Sequence, residues 1–394
     1  KAAIAELASK KKLVGEVISE DTLWACTTCR ACEQVCPVTI EHVPRIIAMR
    51  QGQTLMAESY PKELNTAFKG LERNGNPWGI GYDKRADWAE GLGVQTMADD
   101  PDVDYLLWVG CAGSFDDRSK KVSVSLVKIL QKAGIRFAIL GTQEKCTGDF
   151  ARRAGNEMMY QMMAQENIET LNNYKVKKII AACPHCLNTL KHEYPQMGGN
   201  YEVIHHTQLI SDLVSSGKIT LKKGLEGTLT YHDPCYLGRG NGIYEEPREV
   251  IKSISAGIVE MNRNRSKAFC CGAGGAQMFK EEEKGITRIN IERSHEAIGT
   301  GASVIASACL MEAMVICIPR PTSPKVKNQA IRSRNMAIFF AVWRTARCAL
   351  ASTSFAGLLM ILALTTPRSV SSSSIPTSSV APPCGAKPAR PKRQ

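Results

Sequence analysis

DYLLWVGC at residues 104–111 and GTLTYHDPC at residues 227–235 are short runs of apolar, aromatic and β-branched residues, and each stops at a cysteine. Each run opens a set of three. IRFAILG (135–141) and KKIIAAC (177–183) follow the first, and GIVEM (257–261) and SVIASAC (303–309) follow the second. Between them lie stretches with helical periodicity. DDRSKKVSVSLVKILQKAG is expected to form a helix capped near Ser114 or Asp116, to bury Val122, Leu126, Val127 and Leu130, and to end at Gly134. EEPREVIKSI and ITRINIERSHEAIG take the same part later. Short strands alternating with helices specify α/β units. The cysteines repeat with the strands: Cys111, Cys146 and Cys183 are 35 and 37 residues apart, and Cys235, Cys271 and Cys309 are 36 and 38 apart. The chain therefore reads as an internal duplication that places cysteines at strand ends, where open α/β sheets gather their ligands.

Composition narrows the function. The chain has 394 residues and a formal charge of +12, with 44% apolar and 22% charged residues, which excludes a disulfide-stapled miniprotein and a wholly disordered chain. The charge is not spread evenly. After Glu312 there is no acid, while 12 of the 50 basic residues lie there, so residues 1–312 are balanced and offer no basic footprint for nucleic acid. Of the 15 cysteines, 12 precede residue 310, and no secretory signal marks the start, so they read as reduced metal ligands rather than disulfides. The opening on Lys1 leads us to expect a fragment.

LWACTTCRACEQVCPV contains Cys26, Cys29, Cys32 and Cys36 followed by Pro37, the bacterial ferredoxin run. Thiolates two residues apart on a coiling chain can reach several irons from one side. The other readings of such spacing are a zinc knuckle or a redox CxxC pair, although zinc sites usually split their ligands into two distant pairs. Either all four cysteines hold one cluster, or Cys36 serves a second cluster completed by a run upstream of Lys1. The second motif, FCCGAGGAQMF, sets Cys270 and Cys271 side by side before Gly272, Gly274 and Gly275. The glycines let backbone and amide donors approach bulky sulfides.

These residues together resemble the cysteine-rich CCG domains of the heterodisulfide reductase family and its relatives, the iron–sulfur subunits of glycolate oxidase, lactate utilisation and anaerobic glycerol-3-phosphate dehydrogenase. The resemblance covers about residues 20–310. DYLLWVGCAGSFDDR, CTGDFARRAGNE, CPHCLNTLKHEYP and HHTQ are most similar to long bacterial members that join a flavoprotein to menaquinone. It implies an α+β or α/β fold in which a small ferredoxin-like helical iron–sulfur domain (1–58) and a linker (59–103) that packs its tryptophans on a neighbour precede two duplicated α/β cysteine-rich domains, 104–226 and 227–312. Its implied cofactors are 4Fe-4S clusters, one or two in the ferredoxin domain and at most one per cysteine-rich domain. Its implied partners are a flavoprotein such as electron-transferring flavoprotein or a FAD dehydrogenase subunit, and a quinone or membrane cytochrome domain. Its implied location is the cytoplasm, at the inner face of the membrane. The expected function is an oxidoreductase subunit that relays electrons; the alternatives are disulfide reduction, as in heterodisulfide reductase, or a zinc-binding structural protein.

Position by position, the first copy matches the family through Cys111, Cys146, Cys183 and Cys186, with Lys145 where the first Cys of the pair would stand. The second copy keeps Cys235, Cys270, Cys271 and Cys309, while Leu310 replaces a proline and Glu312 the last cysteine. Four thiolates in the first copy suit an ordinary cubane. His185, His205 and His206 read as cluster-tuning groups or as satisfied strand-end histidines, and Arg152 and Arg153 as charge compensation or a solvated helix face. Residues 313–394, acid-free and rich in Ser, Pro and Arg, read as an out-of-frame, disordered tail or, through 348–366, as a membrane anchor.

Overall fold

The computed structural model describes residues 11–221, 224–225, 227–283, 285–311 and 361–363. Four parallel strands make the first sheet: β1 (Tyr105–Trp108), β2 (Phe137–Ala138), β3 (Lys178–Ala181) and β4 (Glu202–His205), in the order β2-β1-β3-β4. Leu106, Leu107, Trp108, Ile179, Ile180 and Ala181 are all buried, the near-continuous apolar pattern of a sheet covered on both faces. The helix Asp117–Lys132 covers one face. Asp116 caps it by accepting from the amides of Arg118 and Ser119, and Val122, Leu126, Val127 and Leu130 are buried, as its periodicity predicts.

The second sheet pairs β5 (Leu229–His232) in parallel with β6 (Val304–Ser307), and β7 (Ile361–Ala363) lies antiparallel along β6. The helices Glu245–Ile254 and Ile289–Gly299 fall where the sequence puts them. Two strand expectations change. GIVEM forms no strand; it meets β5 through a single bridge at Ile258, with Val259 donating to the Leu229 carbonyl. YEVIHH, outside the expected strand set, supplies β4, whose burial alternates from an exposed Glu202 to buried Val203 and His205.

The expected linker is also corrected. Residues 59–103 contain the helix Leu64–Asn74, whose Leu64, Ala67, Phe68 and Leu71 enter the core, and a 3-10 segment, Tyr82–Ala89, that buries Arg85 and Trp88. The stretch is built into the first copy rather than strung between domains. Among the described residues the main apolar core runs from Trp24 through both copies to Leu310, with a small separate cluster at Cys271 and Ala273. At the N-terminal side HVPRIIAMRQ is helical (His42–Gln51), and Leu13–Val17 is a kinked turn with Val14 extended and Gly15 at φ 102°. Residues 1–10, Glu312 and all of the basic tail except 361–363 lie outside the described residues, and so do the frameshift and anchor expectations that rest on them.

Candidate iron–sulfur centre

Parallel pairing brings the ends of β1 and β3 side by side, Trp108 opposite Ala181, and the cysteines follow directly. Cys111 sits in the first turn after β1, Cys183 lies two residues past β3 at the N-cap of a short helix that opens on Pro184, and Cys186 lies in that helix. Cys146 arrives on the loop after β2 and is held there by its amide donating to the Gly75 carbonyl at 2.8 Å. All four line one cleft of about 660 Å³, open space included. Gly110 makes this possible, since it has φ +77° and a Cβ there would stand 3.3 Å from the Cys186 sulfur. The thiols pair two by two. Cys146 donates to Cys111, which lowers Cys111 and raises Cys146; Cys186 donates to Cys183, with Cys309 as a second donor, and Cys183 is held well below its ordinary value. Among the described residues no three His, Cys, Asp or Glu side chains are spaced to hold a single metal ion.

Lys145, at the position of the missing cysteine, points away: its Nζ reaches Glu166 at 2.6 Å, and both side chains are about half exposed. Its neighbour Glu144 turns inward, accepting from the amides of Val109 at 3.0 Å and Gly110 at 2.8 Å and from the buried Arg85 at 2.6 Å.

The second copy is arranged differently. Cys235 and Cys271 are buried, and the loop amides of Gly272 and Ala273 donate to the sulfurs of Cys270 (3.3 Å) and Cys271 (3.5 Å), the role expected of this glycine-rich turn. Cys270, however, also faces the N-terminal run. Its thiol donates to Thr27 Oγ1 at 3.2 Å and is in hydrogen-bond contact with Cys29, a contact that, ahead of burial, pushes the Cys29 thiol up. Cys309 turns the other way, to Cys183 of the first copy.

The run itself coils through left-handed Thr28 and Arg30. It brings Cys26, Cys29 and Cys32 within electrostatic reach of one another, with burial the larger cause of the raised Cys26 and Cys32. Cys32 is exposed, and the Cys36 sulfur accepts from the Ile40 amide at 3.3 Å. Hydrogen bonds clamp the run to the second copy. Arg239 donates to the Cys29 carbonyl at 2.7 Å, Tyr236 meets Thr28 at 3.0 Å, and Gln277 donates to the Trp24 carbonyl. Gly275 must be glycine, since it has φ +62° and a Cβ would fall 2.4 Å from the Cys26 carbonyl. Arg50, fully buried, donates to the carbonyls of Leu23, Trp24 and Cys26 and to those of Arg153 and Gly275. Among the described residues its hydrogen-bond acceptors are all carbonyls, and burial pulls its pKa down to about 10.

Of the weaker candidates, His185 lines the cleft, bonds Asp149 at 3.0 Å and stacks on Tyr236 at 4.3 Å. His205 caps the helix His206–Ser215, and burial holds it and His206 below the ordinary imidazole range. Neither arginine lies on a solvated face: Arg153 is buried between Asp149 and Glu193, and Arg152 pairs with Glu157 and Glu193. Arg50, Arg85, Glu144 and Arg239 carry no signal in the sequence that would single them out.

The donor set suits an iron–sulfur centre: soft thiols around a cleft, backbone amides aimed at sulfur, and cationic side chains close by. The family model of the CCG cysteine-rich domain matches residues 105–191 and again 229–311. An EtfAB:quinone oxidoreductase of Syntrophomonas wolfei is 46% identical over 311 residues, covering 76% of this chain and 44% of that protein. A probable membrane-anchored ferredoxin of Chromohalobacter salexigens is 39% identical over 74% of this chain and 44% of its own length. A dihydromethanophenazine:CoB–CoM heterodisulfide reductase polypeptide of Methanosarcina barkeri is 31% identical over 74% of this chain and 71% of its length. The chain thus spans less than half the length of the first two relatives. Among the described residues no helix is long and apolar enough to cross a membrane.

Proposed function

Since the chain belongs to the CCG cysteine-rich iron–sulfur oxidoreductase family that includes this heterodisulfide reductase polypeptide, we propose that it relays electrons singly between a flavoprotein and a quinone or membrane-bound acceptor. The observation that carries this reading is the meeting of the three cysteine-bearing segments: Cys270 of the second copy donates to Thr27 inside the N-terminal run at 3.2 Å, and Gly274, Gly275 and Leu310 of that copy wall the cleft that holds the four cysteines of the first. Three cysteine sets that meet in series suit a relay better than three isolated structural metal sites.

In this reading Cys26, Cys29, Cys32 and Cys36 form a ferredoxin-type site within residues 1–58. Cys111, Cys146, Cys183 and Cys186 hold a 4Fe-4S cluster in 104–226, and Cys235, Cys270, Cys271 and Cys309 bind a further one in 227–312. Clusters so bound would supply reversible one-electron capacity. The chain's own part is to fix their spacing through Arg50 and Arg239, to exclude water with Trp108, Leu310 and Phe150, and to set local charge through its buried arginines. Electron-transferring flavoprotein or a FAD dehydrogenase subunit would serve as donor, with the protein lying at the cytoplasmic face of the membrane.

The test is anaerobic reconstitution with iron and sulfide. A brown protein that absorbs broadly in the visible, bleaches with dithionite and recolours on adding a quinone analogue supports the relay. A colourless protein that takes up stoichiometric zinc in place of iron overturns it.

A further inference from the structure

Arg85 lies in a segment read from sequence as linker, yet its side chain is 2% exposed, and its Nη2 stands 2.6 Å from Glu144 Oε1 and 3.6 Å from the Cys111 sulfur. Glu144 shares its charge with the amides of Val109 and Gly110, the two residues before Cys111. The carboxylate therefore orients the guanidinium without occupying all of it: Nη2, which binds Glu144, also reaches the sulfur, and the guanidinium lies over the Phe115 ring at 5.6 Å. Arg85 Nε is buried with no hydrogen-bond partner among the described residues. A buried ion pair with an orphaned donor is a poor stabiliser, and an apolar pair of the same volume would often serve stability as well or better. In the second copy the buried Arg248 gives its donors to Asp233, Glu260 and the Tyr244 carbonyl instead.

We propose that Arg85, held by Glu144, is a positioning residue that raises the reduction potential of the first-copy cysteine site through its contact with Cys111. The proposal rests on the reading of Cys111, Cys146, Cys183 and Cys186 as cluster ligands. Reduction adds negative charge beside the sulfur, and a fixed cation with an N–H aimed at that sulfur favours the reduced form. Glu144 enters with the opposite sign, because neutralising it leaves the cation less compensated.

The experiment is an EPR-monitored redox titration of the full reconstituted chain, with Cys111→Ser identifying the signal that belongs to this site. Arg85→Met is expected to shift the one-electron equilibrium of that signal at least tenfold toward the oxidised form, about 59 mV lower. Arg85→Lys should recover more than half of the shift, and Glu144→Gln should move the signal the other way. A signal that titrates within threefold of wild type in Arg85→Met overturns the role of Arg85 while leaving the cluster intact. If Arg85→Met fails to take up iron, Glu144→Gln decides, and an unchanged or lowered potential there overturns the proposal. If Cys111→Ser removes no signal, the cluster reading falls and takes this inference with it.

Discussion

The first cysteine-rich copy draws its four thiols from one sheet edge and one loop, whereas the second shares two of its own with neighbours, Cys270 with the N-terminal run and Cys309 with the first copy. The two copies repeat one pattern of cysteine spacing, yet one gathers its own four thiols on a single cleft, walled in part by Gly274, Gly275 and Leu310 of the other, and the other is a junction. Duplication therefore conserves the position of a cysteine along the strand more faithfully than it conserves what that cysteine faces. A site that must both receive and pass electrons is the one expected to lie at the junction.

The sharpest way to break that contrast is to remove one thiol from each side. Cys146→Ala should cost the iron of the first copy alone, while Cys270→Ala should perturb the second-copy and N-terminal signals together and stop transfer from the flavoprotein to a quinone analogue. Iron analysis and EPR of the two variants check this, and equal, local losses in both would erase the distinction.

Next in size is Arg153→Met, which takes a buried cationic partner from both Asp149 and Glu193 and leaves them to His185 and Arg152. Breaking a buried pair of this kind costs about 3–5 kcal/mol, read as a drop in thermal midpoint. Gly275→Ala should cost about 1–3 kcal/mol through its positive φ, and the closeness of the Cys26 carbonyl should loosen the N-terminal run while sparing the first copy. Limited proteolysis near residue 26 would report that loosening.

A pH dependence follows from the same cluster. Burial alone would raise Asp149, but Arg153 and His185 outweigh it and bring its pKa to about 2. A depressed carboxyl contributes stability that is fully present above its unfolded value and lost as pH falls toward the folded one. Asp149 should therefore contribute about 2 kcal/mol that disappears between about pH 4 and pH 2. For His185 burial lowers the pKa, but Asp149 raises it further, so its contribution runs in the opposite sense and fades as pH rises through the raised value. Asp149→Asn should flatten both limbs of a denaturation profile. The smallest effect belongs to Lys145→Ala, a half-exposed ion pair worth under about 1 kcal/mol, with iron content unchanged.

The placing of cysteines at strand ends is legible in the sequence because cysteine spacing and strand runs are local properties: a run such as DYLLWVGC announces both at once. The α/β units and the capped helix after Asp116 are legible for the same reason. YEVIHH escapes because its pattern alternates, unlike the continuous apolar runs around it. The buried arginines cannot be read at all. Arg50 finds its acceptors on Leu23, Arg153 and Gly275, and Arg85 finds Glu144, partners separated in sequence by 27 to 225 positions. Backbone carbonyls also leave no residue-type signature. The segment 59–103 misleads through its glycines and prolines, whose turns fold back onto the first copy rather than away from it.

Arg50 also bears on how this chain could be divided. Its guanidinium takes carbonyls lent by the N-terminal run, the helix that ends at Arg153 and the glycine turn of the second copy, so no cut between those pieces leaves each with its polar groups satisfied. An excised N-terminal segment would keep the donor and lose two acceptors, and the remaining body would keep two bare carbonyls and lose the donor. The architecture reads as modules in sequence, but it is expected to assemble, purify and evolve as one indivisible unit.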